Sequence, residues 1–136
     1  MYKHILIPTD GSPLSANSAR HAIALAKATG ARVTGLFVAP VPTPLLFKGL
    51  MPVRHLQPQE HADLTAKAAE RYLGVIERAA LKAGVRFEGI AVAGEFPAEA
   101  ILKCCAKRRC DLIVMASHGR RGMAGVLLGS ETQKVL

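Results

Sequence analysis

The sequence contains no tryptophan and only six aromatic residues among 136, so aliphatic side chains must supply most of its core. No apolar run approaches the ~20 residues that a membrane-spanning helix needs, and the start shows no small-residue cleavage site of a signal peptide. The length predicts a single domain, 1–136, which buries roughly two thirds of its unfolded surface without a structural metal. We therefore expect a soluble, cytoplasmic protein with no membrane contact.

Cysteines are also few. Cys104, Cys105 and Cys110 lie within seven residues, an odd number that argues against a disulfide framework and favours a reducing compartment. Their spacing matches no zinc site, so we expect three small buried hydrophobes. Three histidines also lack metal-ligand spacing and are expected to be solvated: His21, His55 and His61.

Negative charge is scarce, because 18 Lys and Arg face 10 Asp and Glu and leave a net charge of +8. This balance favours anionic partners. The basic run Lys107, Arg108 and Arg109 falls in the last turn of a predicted helix, where cations complement the helix dipole. The six aromatics form no stacking pattern, so nucleic acid is not the expected partner.

Short apolar runs alternate with helical patterns along the chain. Strands are predicted at 5–8, 32–38, 86–93 and 112–115, and helices at 13–30, 59–83 and from 97 to about 109. Five of the eight prolines lie between positions 40 and 58, which predicts a long irregular connection. Four strands with three intervening helices imply an α/β fold with a doubly wound, open parallel sheet. The second helix is expected to pack through one apolar side, formed by Leu64, Ala68, Tyr72, Val75, Ile76 and Ala79.

Two strand ends carry residues suited to a ligand, because ligands of open α/β sheets bind beyond the carboxyl ends of strands. The first strand ends in Pro8, Thr9 and Asp10. The fourth leads into a segment with glycines at 119, 122, 125 and 129, which let a backbone bend around a phosphate. Ser130-Glu131-Thr132-Gln133 has capping-box spacing and predicts a helix that points its free amides at the same place.

Two standard phosphate motifs are missing from these strand ends. No Gly-x-Gly-x-x-Gly follows the first strand, and no lysine follows Gly129 to complete a P-loop. A Rossmann dehydrogenase and a P-loop NTPase are therefore disfavoured.

The chain resembles the universal stress protein family over nearly its whole length. The resemblance lies in Ile5-Leu6-Ile7-Pro8-Thr9-Asp10-Gly11-Ser12, in the strand Asp111-Leu112-Ile113-Val114-Met115, and in Gly119 followed by nine residues and Gly129-Ser130. ATP-binding members carry Gly-x2-Gly-x9-Gly followed by Ser or Thr, and Ala116 stands here in place of the first glycine. The resemblance implies an adenine nucleotide alpha hydrolase-like, Rossmann-like three-layer sandwich.

The resemblance also implies an ATP site, occupied by ATP alone or with Mg²⁺. Asp10 would face the ribose or adenine, and the backbone of Val38 would hold the adenine edge. Thr9 and the backbone of Ala116 would line the sugar. Phosphates would be cradled by Gly119, Gly129 and Ser130. The remaining residues that the resemblance assigns to the site are Pro8, His118, Arg120, Gly122, Glu131 and Thr132.

Other functions remain open at this point. Some family members bind no nucleotide, so Ala116 leaves the alternative of a ligand-free signalling homodimer. An enzyme with weak ATPase activity could use only Asp10 and His118 as candidate groups. Asp10 could also simply brace its own turn. The resemblance implies a further strand that pairs between subunits, and the sequence ends at Leu136, a few residues into the preceding predicted helix. Either the chain is truncated or the homodimer is built otherwise, and we expect an exposed sheet edge that favours a partner or aggregation.

Overall fold

The computed structural model describes residues 1–39, 58–94, 96–116 and 127–129. Within these ranges, five strands and three helices succeed one another along the chain. The strands are β1 (His4–Thr9), β2 (Arg32–Ala39), β3 (Phe87–Ala93), β4 (Leu112–Val114) and β5 (Leu127–Gly129). The helices are α1 (Pro13–Thr29), α2 (Pro58–Ala83) and α3 (Pro97–Arg108).

The strands form one sheet in the order β3-β2-β1-β4-β5. The first four pair in parallel, and β5 pairs with β4 in the antiparallel sense. The predicted α/β fold with a parallel sheet is therefore confirmed. Strand order reverses at β1, which lies between β2 and β4, and this reversal is where such sheets form their ligand crevice.

Helices cover both faces of the sheet. On one face, α1 and α2 pack on Ile5, Ile7 and Val33 through a cluster that is rich in alanine. On the other face, α3 packs on Leu6 and Leu36. The predicted burial of the cysteines is confirmed, because all three belong to this second cluster and are free thiols. The result is the expected three-layer arrangement.

Local signals at the helix ends match the sequence predictions with one exception. Ser12 caps α1 by accepting a hydrogen bond from the Ser15 amide at 3.1 Å, and Gly30 ends that helix in the left-handed conformation. Arg109, predicted in the last turn of α3, instead lies beyond the helix as its left-handed cap. The structure shows no helix, among the residues that it describes, that is long and apolar enough to cross a membrane.

The amino end of the sheet is held together by His4 and Asp111. The His4 ring lies 2.6 Å from Thr34 Oγ1 and 3.0 Å from the Arg108 carbonyl oxygen. The Asp111 carboxylate accepts from the backbone amides of Lys3 and His4 at 2.9 and 3.1 Å. These bonds tie the start of β1 to β2 and to the end of α3.

Candidate ligand-binding cavity

A cavity of about 640 Å³ opens at the carboxyl ends of β1, β2 and β4. Residues of α2 and the first two turns of α3 complete its wall. Most of the lining is apolar, which is typical of small-molecule sites with a few orienting polar groups. The lining side chains that the structure describes are Pro8, Thr9, Asp10, Ser15, Leu36, Phe37, Val38, His61, Leu64, Thr65, Ala68, Tyr72, Pro97, Ala98, Ile101, Met115 and Ala116.

Asp10 braces the turn between β1 and α1. Its Oδ1 accepts from the Ser12 amide at 2.9 Å and from Ser15 Oγ at 2.7 Å. Thr9 Oγ1 accepts from the Gly11 amide at 3.1 Å. The turn therefore satisfies its own amides through two side chains, and the bracing interpretation of Asp10 is confirmed. The same bonds fix the position of the carboxylate at the cavity wall.

Gly11 and Tyr72 join this turn to α2. Gly11 has φ +81°, and a Cβ at this position would overlap the Tyr72 ring. The ring also meets Phe37 edge to face, with centroids 5.4 Å apart, and the Arg71 guanidinium lies 5.1 Å from its centroid. The absence of a side chain at Gly11 thus lets the Tyr72 ring close against the turn.

The first half of α2 contributes residues that the sequence analysis did not assign to a site. His61, expected to be solvated, is instead half-buried and lines the cavity. Leu64, expected in a packed stripe, is 56% exposed and lines the same wall. Thr65 lies one turn beyond His61, and Ala68 lies one turn beyond Leu64. Their shared helical spacing was visible in the sequence, but it could not show that this face meets a cavity at its amino end and the core only further along.

Five of the residues predicted for the site come together around the cavity: Pro8, Thr9, Asp10, Val38 and Ala116. They arrive from three strand ends, as the parallel sheet requires. Among the described residues, Arg109 alone combines a side chain with a positive φ. Ala116 therefore adopts ordinary backbone geometry, and alanine fits there without the strain that a required glycine would imply.

Gly129 lies away from the five predicted residues that line the cavity. It pairs with Leu112, which pairs in turn with Ile5 at the start of β1. Asp10 lies five residues beyond Ile5, roughly 16 Å along the strand. The predicted neighbourhood of Gly129 and Asp10 is thus not seen, because the backbone of residues 127–129 pairs with β4 and does not turn towards the cavity. The other predicted contacts lie outside the described residues: His118, Gly119, Arg120, Gly122, Ser130, Glu131 and Thr132.

The described wall carries few charged side chains. Asp10 is its one carboxylate, and neither lysine nor arginine lines this part of the cavity. No group of three or more metal-ligating side chains occurs among the described residues. Burial raises the pKa of the Cys110 thiol to about 12 and also raises that of Cys104, so both thiols stay protonated near neutral pH.

Comparison with known proteins by family profile and by sequence identity points to one family. A profile described as the Universal stress protein family matches residues 1–136. The chain is 33% identical over 141 aligned residues to universal stress protein MJ0531 of Methanocaldococcus jannaschii, an alignment that covers 100% of this chain and 76% of that protein.

Solved structures show the same fold. A universal stress protein from Burkholderia pseudomallei superimposes with a TM-score of 0.72 at 24% identity, over 86% of this chain and 83% of that one. A universal stress protein in complex with cAMP superimposes with a TM-score of 0.58 at 20% identity, over 85% and 73% of the two chains.

Proposed function

Because the chain belongs to the universal stress protein family, we propose that its cavity binds an adenine nucleotide and that binding serves stress response or signalling. The observation that carries the proposal is the meeting of Asp10, Val38 and Ala116 at one cavity of about 640 Å³. A volume of several hundred Å³ suits a small-molecule ligand. The relative solved with cAMP supports the same ligand class.

The cavity has an apolar part and a polar part, which suit the base and the ribose of a nucleoside. Phe37, Val38 and Met115 offer apolar surface for a planar base, and the backbone at the end of β2 offers polar groups for its edge. Thr9 and Asp10 offer oxygen atoms for ribose hydroxyls. ATP, alone or with Mg²⁺, is the proposed ligand, with hydrolysis slow at most. We assign Gly119 to its phosphates by family resemblance alone.

A cavity-filling substitution tests the site directly. Ala68 is half-buried on α2 and lines the cavity, whereas Ala66 is exposed on the same helix. We expect Ala68→Phe to weaken ATP binding at least tenfold in calorimetry and Ala66→Phe to leave it unchanged. Titrations with AMP, cAMP and adenosine, each with and without Mg²⁺, rank the contribution of the phosphates.

Three results would contradict the proposal. ATP at millimolar concentration could produce neither heat nor protection from unfolding, both alanine variants could bind like wild type, or ATP binding could appear only after Ala116→Gly. The last result would favour the ligand-free signalling homodimer. An assay for adenine nucleotide in denatured, purified protein gives an independent answer.

The proposal extends to location and assembly. Three free, buried cysteines fit a reducing compartment such as the cytoplasm. A homodimer is expected from the family resemblance, and light scattering coupled to size exclusion, run with and without ATP, measures whether nucleotide changes the association state. A mass of one chain under both conditions would contradict the dimer.

A further inference from the structure

We propose that the amino end of the sheet binds the phosphate backbone of a nucleic-acid duplex. This surface, called here the basic edge, consists of exposed cations that precede or begin the parallel strands or occupy and cap the last turns of the helices. They are Lys3, Lys27, Arg32, Lys82, Arg86, Lys107, Arg108 and Arg109.

Backbone hydrogen bonds bring these cations together. The Arg32 amide donates to the Lys3 carbonyl oxygen at 3.0 Å, and the Val33 amide donates to the Arg86 carbonyl oxygen at 2.9 Å. Arg32 and Arg86 therefore lie side by side on neighbouring strands, and Lys3 lies one position before His4, the register partner of Arg32 on β1. The three form a row about 10 Å wide along the starts of the strands. The bond from the His4 ring to the Arg108 carbonyl places the end of α3 beside this row.

Among the described residues, the cations of the basic edge outnumber the negative charges there. Two described carboxylates lie at this edge: Asp111, bound to the amides of Lys3 and His4, and Glu88, which lies 2.7 Å from Arg108. Three helix carboxyl ends add roughly −1.5 charges in total, at about −0.5 each. Eight cations thus leave an excess of roughly +4 to +5. Compensation of the helix dipole accounts for the cations at 107–109, but it does not account for the other cations of the basic edge.

The composition of the basic edge favours phosphates over a protein partner. Protein interfaces place aromatic and aliphatic anchors at their centre and carry few charges there. Here charges occupy the central row. The exposed apolar side chains lie apart from one another, with Met1 and Tyr2 before β1 and Leu81 on α2. Lysine and arginine both bind phosphate oxygens, arginine through a two-pronged contact.

A duplex fits better than a single strand. Single-stranded nucleic acid is held by stacking on several aromatic side chains, and Tyr2 is the one exposed aromatic at this edge in the described chain. Duplex DNA carries one charge per about 1.7 Å of axis, so about 10 Å of duplex presents about six charges. Binding would be independent of sequence and strongly dependent on salt.

Fluorescence anisotropy with a labelled 20-base-pair DNA duplex tests the proposal. With four to five phosphate contacts, wild-type affinity should fall about 150- to 500-fold between 50 and 200 mM salt. The edge variant combines Lys3→Gln, Arg32→Gln and Arg86→Gln. It should bind more weakly, and its slope of log affinity against log salt should be shallower by about 2.7.

A matched control separates the edge from overall charge. Arg20→Gln, Lys67→Gln and Arg78→Gln remove the same charge from exposed positions that precede the last turns of α1 and α2, and this variant should keep the wild-type slope. Equal weakening in both variants, or no duplex binding at 50 mM salt, would overturn the proposal. Displacement of the duplex by poly-glutamate at equal charge would also overturn the proposal, because that outcome indicates that the basic edge binds an acidic protein.

Two further measurements guard the interpretation. Thermal unfolding measures whether the edge variant is folded. If it is not, a second edge variant combines Lys27→Gln, Lys82→Gln and Lys107→Gln. The same loss of duplex affinity and of salt slope is expected for it. The cavity variant Ala68→Phe should bind duplex like wild type. The tests therefore distinguish failure of the duplex proposal from failure of the nucleotide proposal.

Discussion

The two ends of the parallel sheet differ in both charge and shape. At the carboxyl end, apolar side chains and one carboxylate surround a cavity of about 640 Å³. At the amino end, the basic edge places exposed cations around the buried His4 and around Asp111. Since parallel strands sort the residues before and after each strand to opposite ends, one short sequence builds two chemically distinct surfaces.

The difference teaches how each end is stabilised. The carboxyl end depends on shape, because the turn 9–12 fits against an aromatic ring from α2. The amino end depends on hydrogen bonds from side chains to the backbone, with Asp111 and His4 linking three elements. Substitutions at the two ends should therefore differ in size and in their response to pH and salt.

The largest effect is expected at Gly11. Gly11→Ala forces a side chain into positive φ, at about 1–2 kcal/mol, and displaces the Tyr72 ring, at about 1–3 kcal/mol more. Gly30 has φ +73° but nothing within 4 Å of a Cβ, so Gly30→Ala should show the backbone cost alone. Urea unfolding measures both. Equal losses would show that contact with Tyr72 does not stabilise the carboxyl end.

A smaller loss is expected from Asp10. Asp10→Ala removes the acceptor for the Ser12 amide and Ser15 Oγ, which should cost about 1–3 kcal/mol, and it should also weaken nucleotide binding. A double-mutant cycle with Ser15→Ala isolates the carboxylate–hydroxyl pair. Strictly additive losses would mean that the pair contributes nothing to the turn, whereas a coupling of about 1 kcal/mol is expected.

Much of this comparison could be predicted from sequence. Strand and helix order followed from apolar runs, from Ser12 and Gly30 at the ends of α1, and from Pro97 at the start of α3, because these signals act locally. The meeting of Asp10, Val38 and Ala116 followed from strand direction together with family resemblance. Elements with strong local signals were therefore placed correctly, including the three strand ends of the cavity.

The remaining features depend on contacts between distant segments. The closure of Tyr72 on Gly11 joins residues 61 positions apart, and no local pattern encodes it. β5 was missed because three residues among glycines carry little strand signal, and its pairing with β4 is non-local. The basic edge was missed for the same reason, since Lys3, Arg32 and Arg86 become neighbours only through strand register.

His4 makes the amino end sensitive to pH. Burial lowers the pKa of His4 from 6.5, and Arg32 lowers it further. The hydrogen bond to the Arg108 carbonyl oxygen and the charges of Asp111 and Glu88 oppose this lowering with smaller effects. The unfolded chain therefore binds more protons than the folded one as pH falls through 6.5, and stability should decrease from pH 7 towards pH 5. Urea unfolding of His4→Gln should show a shallower decrease, after a fixed loss of about 1 kcal/mol.

The control for this prediction is a histidine on the surface of α1. His21 is exposed, so His21→Gln should leave the pH dependence of the free energy of unfolding as in wild type. If His4→Gln and wild type decrease in parallel between pH 7 and pH 5, His4 does not cause the sensitivity of the amino end.

The smallest effect on stability is expected at Glu88. Glu88 and Arg108 form an ion pair with side chains 53% and 41% exposed, and such pairs contribute about 0–1 kcal/mol, less at high salt. Glu88→Gln should therefore barely change urea unfolding. It should nevertheless tighten duplex binding and steepen the salt slope by up to about 0.9, because Arg108 becomes available to a phosphate. A stability loss well above 1 kcal/mol with unchanged duplex affinity would reassign Arg108 to holding β3 against α3.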